Sequence, residues 1–346
     1  YILVQPLDLV GDEAYYWDWG RHPAWGYFSK PPLIAWLMAL VTNIGGDNAQ
    51  TIRIAALVLG TGTLILAWQL ARDIYGSEPA FWAVAAMALT PGNAASNFVF
   101  TIDAPLLFFW CASLLCLWRA CHPGPHRLLW ALLLVPAIGL GLLSKQMMIV
   151  FPLLALVFFA TDHELRRRLA RPWPWLGLAA ALSFLAPVLV WNSRHDWITF
   201  THTAHHFAGR SWHPLDMAGR LLAFAGGQMG LTSPVLWVLL IALFAACTTA
   251  FLRLRRPERF LFLFSGPAIM VMLLMTLRQR MNGNWAAVFY PAGFILLAGW
   301  AEGRFQAGAL SPRLHRWFRP GIALGAALAL AAYLLPFVIP HTGLAG

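Results

Sequence analysis

Apolar residues in this 346-residue chain gather into runs of about the length that crosses ~30 Å of bilayer hydrocarbon as a helix. They fall near 53–74, 80–97, 104–120, 128–143, 147–160, 174–192, 231–252, 260–277, 285–301 and 320–340, with short polar stretches between them. Only 11% of residues are charged and 60% are hydrophobic, whereas a soluble domain carries roughly 25% charged residues to face water. A soluble enzyme is excluded. The pattern predicts an all-α, polytopic transmembrane helical bundle of about ten spans. Two stretches are ambiguous. Residues 128–160 are too long for one helix and short for two, and 216–230 read as interfacial or as part of a span broken at Gly226, Gly227 and Gly230.

Residues 1–52 read as a first loop with interfacial helices, and 53–346 as the bundle with short loops. The chain opens at Tyr1 without a methionine, and its first eleven residues are too few to span, so the expectation is a fragment or a missing upstream helix. Cys111, Cys116 and Cys247 lie inside apolar runs and Cys121 at the end of one, with no CxxC pair, which reads as packing. The net charge of +10 points, in a membrane chain, to orientation and anionic headgroups, not to nucleic acid.

Charge sets the parity. With 1–52 outside the cytoplasm and loops alternating thereafter, the inner loops hold dense clusters, among them Arg119 with Arg127, Arg166 to Arg171, Arg253 to Arg259, and Arg313 to Arg319. That is the positive-inside pattern. It also requires 128–160 to be a hairpin turning near Ser144-Lys145-Gln146, since one helix there would put the 166–171 cluster on the wrong side. The polar groups left on the outer side are Asp12, Glu13, Lys30, Asp103, Lys145, the Arg194-His195-Asp196 run, Arg278, Arg280 and Asn284. They are distant in sequence but share one face. Isolated basic residues there run against the orientation bias, and a bound phosphate would favour them.

Gly11-Asp-Glu-Ala-Tyr-Tyr-Trp reads as a helix start with Asp12 as N-cap, placing Asp12, Tyr15, Tyr16 and Trp19 on one side. Tyr27-Phe-Ser-Lys-Pro-Pro predicts another helix from about Pro31, with Lys30 beside its N-terminus. Lys30 then suits either a phosphate or a headgroup-seeking lysine. Asp103 with Pro105 in the next turn is either a helix cap or a positioning acid. Lys145 lies in a short turn near membrane depth, where charge is costly and usually functional. The Arg194-His195-Asp196 run between Trp191 and Trp197 fits an interfacial anchor as well as a substrate contact. His202, His205, His206 and His213 share a loop, and no local carboxylate or cysteine completes a zinc set.

These motifs together resemble the GT-C glycosyltransferases, in particular the bacterial branch of the protein mannosyltransferase superfamily that includes the lipid A aminoarabinose transferases. The acidic pair at 12–13 and the Tyr27-Phe-Ser-Lys-Pro-Pro stretch carry the likeness. Thr101-Ile-Asp-Ala-Pro, Gly141-Leu-Leu-Ser-Lys, Trp191-Asn-Ser-Arg-His-Asp-Trp and Asn284-Trp follow in order. The resemblance implies a polyprenyl-phosphate-linked sugar donor, a lipid, glycan or protein acceptor, membrane lipids as surroundings, and inversion at the anomeric carbon. It implies a bacterial inner-membrane location with the site facing the periplasm. By resemblance Asp12 is the catalytic carboxylate, with Glu13 beside it, Asp103 a second acid, and Lys30 the phosphate-binding lysine. Position 29 is Ser, where the aminoarabinose transferases have an acid associated with a metal. The reading therefore requires no cofactor and remains compatible with a divalent metal. The chain ends soon after its last run, so less material is expected for an acceptor site than in many relatives.

The chemistry needs a base for the acceptor hydroxyl, cations for the departing phosphate, and a pocket aligning the two. Asp12 supplies the first; Lys30 with Lys145, Arg278 and Arg280 the second; Tyr15, Tyr16, Tyr27, Arg194, His195, Asp196 and Asn284 are candidate substrate contacts. The competing reading is a transporter or flippase for a lipid-linked saccharide, which would need similar cations. Transporters favour internal repeats and midplane charges, whereas this sequence shows no repeat and its committed polar residues are skewed to one face, which favours the enzyme.

Overall fold

The computed structural model describes residues 2, 8–205, 213–308 and 310–338; Tyr1, His206 and Arg210 lie outside them. Among the described residues the chain is helical without a strand. The helices are α1 (Gly11–Arg21), α2 (Leu33–Gly45), α3 (Ala49–Tyr75), α4 (Ser77–Ala88), α5 (Pro91–Phe98), α6 (Asp103–Cys121), α7 (Arg127–Ser144), α8 (Val150–Thr161) and α9 (His163–Arg166). There follow α10 (Pro172–Leu182), α11 (Ala186–Ser193), α12 (Ile198–His205), α13 (Pro214–Thr232), α14 (Pro234–Thr249), α15 (Arg256–Leu263), α16 (Gly266–Met275), α17 (Tyr290–Ala301) and α18 (Phe318–Val338). Among the described residues seven helical segments are long and apolar enough to cross a membrane, or nine if two bent pairs each count as a span. With the expected ten runs this describes a multi-pass membrane protein.

Local chemistry explains where the runs break. The run at 80–97 divides because Thr90 caps α5 with its hydroxyl and Pro91 opens that helix. Residues 128–160 divide at Lys145, whose extended backbone ends α7 before a 3-10 turn, Gln146–Ile149, leads into α8. The two helices form the expected hairpin. Arg127 at the start of α7 and Arg168 beyond α8 both bond the carbonyl of Ala120, so their far ends meet at the end of α6 while Lys145 sits at the other face.

Two local expectations are corrected. Asp12 does not cap α1; Val10 is the N-cap, and it is Glu13 that turns back to accept the Val10 amide at 3.1 Å. The glycines at 226, 227 and 230 do not interrupt the chain. They lie within α13, and the break comes at Ser233, with φ at 118°, where α14 leaves at 113° to α13. Pro234 has no amide to donate and restricts the residue before it, so the helix stops there.

The bundle has two unlike ends. One gathers Asp73 with Arg119, Asp162 and Glu164 with Arg256, Glu258 with Arg255, and Glu302 with Arg319. The other gathers α1, α2, the start of α6, Lys145 and the 276–290 stretch. Between them Trp110 of α6 packs edge-on against Phe151 of α8 and Phe289 before α17, at 5.1 and 5.3 Å. Near the second end α1 and α2 touch at Gly20, where a Cβ would come within 2.8 Å of the Met38 Cβ.

Candidate active site

Asp103 is the first residue of α6, and the fold brings to it two groups from far along the chain. Its Oδ1 accepts from Lys145 Nζ at 2.7 Å and its Oδ2 from Asn284 Nδ2 at 2.7 Å. Both Asp103 and Lys145 are buried. A charge taken out of water needs a partner and further hydrogen bonds to persist, and Asp103 has one of each. Lys145 reaches it because α7 ends one residue earlier, so the lysine sits at the lip of the bundle and not within it.

Asp12 projects from the first turn of α1. It is exposed, without a side-chain partner among the described residues. With Asp103 and Asn284 it lines a cavity of about 280 Å³ whose remaining wall includes Thr63, Thr90 and Thr101. Lys30 is half-buried just ahead of α2. Burial holds its ammonium below the ordinary lysine value of 10.5, and the charge of Lys145 pushes the same way, with Asp103 and Asp12 opposing. Two lysines and two carboxylates therefore share one electrostatic neighbourhood. Tyr16 reports the same grouping from α1: burial first, then Asp12 and Asp103, push its hydroxyl well above 10.0.

The floor under α1 is a separate, fully buried device. Glu13 accepts from the Phe100 amide at 2.9 Å and lies 3.7 Å from Arg53, which also donates to the Asp8 carbonyl at 2.7 Å. Glu13 thus ties α1 to α3 and to the turn before α6, and it does not line the cavity. Tyr27 likewise serves the scaffold. Its hydroxyl accepts from the Ala24 amide and meets the carbonyls of Trp19 and His22, its ring stacks on Trp19 at 4.3 Å, and burial raises its hydroxyl above 10.0. Tyr15 is exposed, 4.4 Å from the Trp19 ring.

The remaining candidates lie at the margin. Arg194, His195 and Asp196 are exposed and do not line the cavity. His195 stacks on Trp191 at 3.9 Å, and Asp196 and Trp197 take positive φ, turning the chain so that Thr199 donates to the Tyr27 carbonyl at 2.6 Å. Arg278 and Arg280 are exposed on the stretch that leads to Asn284, also outside the cavity wall. His202 rests against Phe28 at 4.6 Å, and among the described residues no three His, Cys, Asp or Glu converge as a metal set.

Two positioning residues escaped sequence reasoning. Gln228 of α13 donates to the Gly283 carbonyl at 3.0 Å and accepts from Tyr290 at 2.6 Å, and Arg220 grips the carbonyls of Thr276 and Leu277. Together they fix the stretch that presents Asn284. A buried glutamine in an apolar helix was the available signal.

The family model described as dolichyl-phosphate-mannose-protein mannosyltransferase matches residues 29–191. Lipid A galacturonosyltransferase RgtD of Rhizobium johnstonii is 30% identical over 300 residues, which is 84% of this chain and 60% of that protein. An undecaprenyl phosphate-alpha-4-amino-4-deoxy-L-arabinose arabinosyl transferase of Pseudomonas aeruginosa is 32% identical over 168 residues, 48% of this chain and 30% of that protein. The chain thus spans 60% or less of the length of these relatives. Crystal structures of ArnT from Cupriavidus metallidurans share the fold. The form bound to undecaprenyl phosphate superposes with a TM-score of 0.69 at 22% identity, over 95% of this chain and 61% of that one. The archaeal oligosaccharyltransferase AglB from Archaeoglobus fulgidus, in complex with an inhibitory peptide and a dolichol-phosphate, follows with a TM-score of 0.57 at 14% identity, over 96% and 52%.

Proposed function

The chain belongs to the GT-C glycosyltransferase superfamily, in its bacterial protein-mannosyltransferase-like branch, and from that premise we propose that it transfers a sugar from a polyprenyl-phosphate donor to an acceptor hydroxyl. The observation that carries the reading is that an exposed Asp12, without a side-chain partner among the described residues, lines one cavity with Asp103, while Lys145 pairs with Asp103 behind it and Lys30 feels the charges of all three. The reaction runs on the face opposite the arginine clusters. By the positive-inside rule that face is the periplasmic side of a bacterial inner membrane.

In this mechanism Asp12 accepts the acceptor proton as the acceptor oxygen forms its bond to the anomeric carbon. The bond from that carbon to the phosphate oxygen breaks, and its electron pair leaves with the phosphate. Displacement from the opposite side inverts the centre. Lys30 takes the departing charge. Its ammonium is disfavoured by burial and by Lys145 in the free protein, and a phosphate between the two lysines relieves both penalties. Asp103 meets Lys145 and Asn284 and sets their positions, so it acts on donor geometry. Arg278 and Arg280, exposed without a side-chain partner among the described residues, are placed to meet the donor or acceptor headgroup as it enters.

The test is sugar transfer by purified protein in vesicles supplied with a polyprenyl-phosphate sugar. Asp12→Asn should lower kcat by about 10²–10⁴-fold, the usual worth of a positioned base, while Lys30→Ala should chiefly raise KM for the donor. Undiminished transfer by Asp12→Asn removes the base; lipid movement without transfer favours a flippase.

A further inference from the structure

On the arginine-rich end, away from the site above, a crevice of about 250 Å³ opens between α7, α8 and α10. Its walls are apolar: Leu134, Val135 and Ile138 from α7, Pro152 and Leu156 from α8, Leu178 from α10. Its mouth is not. Arg127, Arg168 and Trp173 stand there, with the Trp173 side chain largely exposed.

The two arginines differ from their neighbours. Arg119 meets Asp73, Arg255 meets Glu258, and Arg256 meets Asp162 and Glu164. Arg127 and Arg168 meet only backbone: Arg127 Nε donates to the Ala120 carbonyl at 3.1 Å, and Arg168 donates to that same oxygen at 3.4 Å and to the Cys121 carbonyl at 3.2 Å. Two guanidiniums are thus drawn to one carbonyl with no carboxylate in ion-pairing range among the described residues. Each keeps free N–H donors in a fork that suits a phosphate.

We infer that this crevice is a binding site for one anionic phospholipid of the adjoining leaflet, with an acyl chain between α7, α8 and α10 and the phosphate bridging Arg127 and Arg168. Charge decides the class of lipid. A zwitterionic headgroup brings its own cation back against two arginines, whereas phosphatidylglycerol brings only the phosphate charge. Trp173 then lies at the headgroup level, where indole rings settle. The site is independent of the transfer chemistry, since none of its residues lines the cavity at Asp12.

The experiment is native mass spectrometry of the full chain released from nanodiscs of equal phosphatidylglycerol and phosphatidylcholine. The wild type should retain one phosphatidylglycerol in preference by about thirtyfold, in keeping with two basic residues near a membrane surface. Arg127→Gln with Arg168→Gln should erase the preference. Gly177→Leu fills the crevice without added charge; a Cβ at Gly177 meets nothing nearer than Val135 at 4.0 Å, and bound lipid should fall severalfold. Equal retention of the two lipids by the wild type, a preference that survives the double arginine variant, or undiminished lipid in Gly177→Leu each overturns the proposal.

Discussion

On the arginine-rich end Arg119 meets Asp73 at 2.6 Å with the two side chains 21% and 25% exposed, while at the other end Lys145 meets Asp103 at 2.7 Å with 9% and 12% exposed. The bond is much the same; the surroundings are not. Where water and headgroups reach a pair, each partner could be solvated without the other, and the pair is a modest strut. Where they do not, each charge depends on its partner. The outer end adds two groups that the inner end lacks, an exposed carboxylate at Asp12 and a half-buried ammonium at Lys30, neither paired among the described residues. At the outer end, then, charge is paired where Lys145 and Asp103 hold helices together and left free at Asp12 and Lys30, where a substrate can use it.

The widest gap between the ends should appear in turnover. Asp12→Asn is expected to cost about 10²–10⁴-fold in transfer with an unchanged melting temperature, because no partner is lost; a matching fall in melting temperature would make Asp12 a scaffold residue. Glu13→Ala should do the reverse in kind. It removes the carboxylate beside the buried Arg53 and the acceptor of the Phe100 amide, and about 3–5 kcal/mol of stability should go, read as a lower unfolding midpoint in detergent. A protein that stays as stable as wild type would refute the buried-partner account.

A smaller effect is expected with pH. Lys30 is held below 10.5, and the phosphate contact needs its ammonium. Donor affinity should therefore weaken as pH rises through that lowered value, by up to tenfold per unit, starting earlier than an ordinary lysine would. Donor KM from neutral to alkaline pH measures it, and Lys30→Arg should move the loss upward; a profile flat to pH 10.5 contradicts the assignment. Least of all should follow from Arg119→Gln, about 0–1 kcal/mol and normal turnover. A loss as large as that of Glu13→Ala would dissolve the contrast between the ends.

Hydrophobic run length made the bundle legible from sequence, and charge parity made the hairpin at Lys145 legible, because both depend on local composition and on a rule that acts loop by loop. The same parity placed Asp103, Lys145 and Asn284 on one face. It could not pair them. Their bonds join residues 42 and 181 positions apart, and such distances are set by how helices pack. The role of Glu13 was hidden for the same reason, since its partners lie in α3 and before α6. The break at Ser233 was masked by three nearby glycines whose flexibility α13 does not use, and Gln228 gave only a weak sign, one polar residue in an apolar stretch.

The span of those bonds also bears on synthesis. Asp103 leaves the ribosome long before Asn284, and half of its partnership is missing until α16 and the stretch after it have been made. The nascent bundle must carry that carboxylate only partly satisfied from the synthesis of Lys145 until that of Asn284. A product cut short before residue 284 keeps the helices up to α16 and lacks both the last spans and the latch, which is the kind of exposed polar defect that quality-control proteases can recognise.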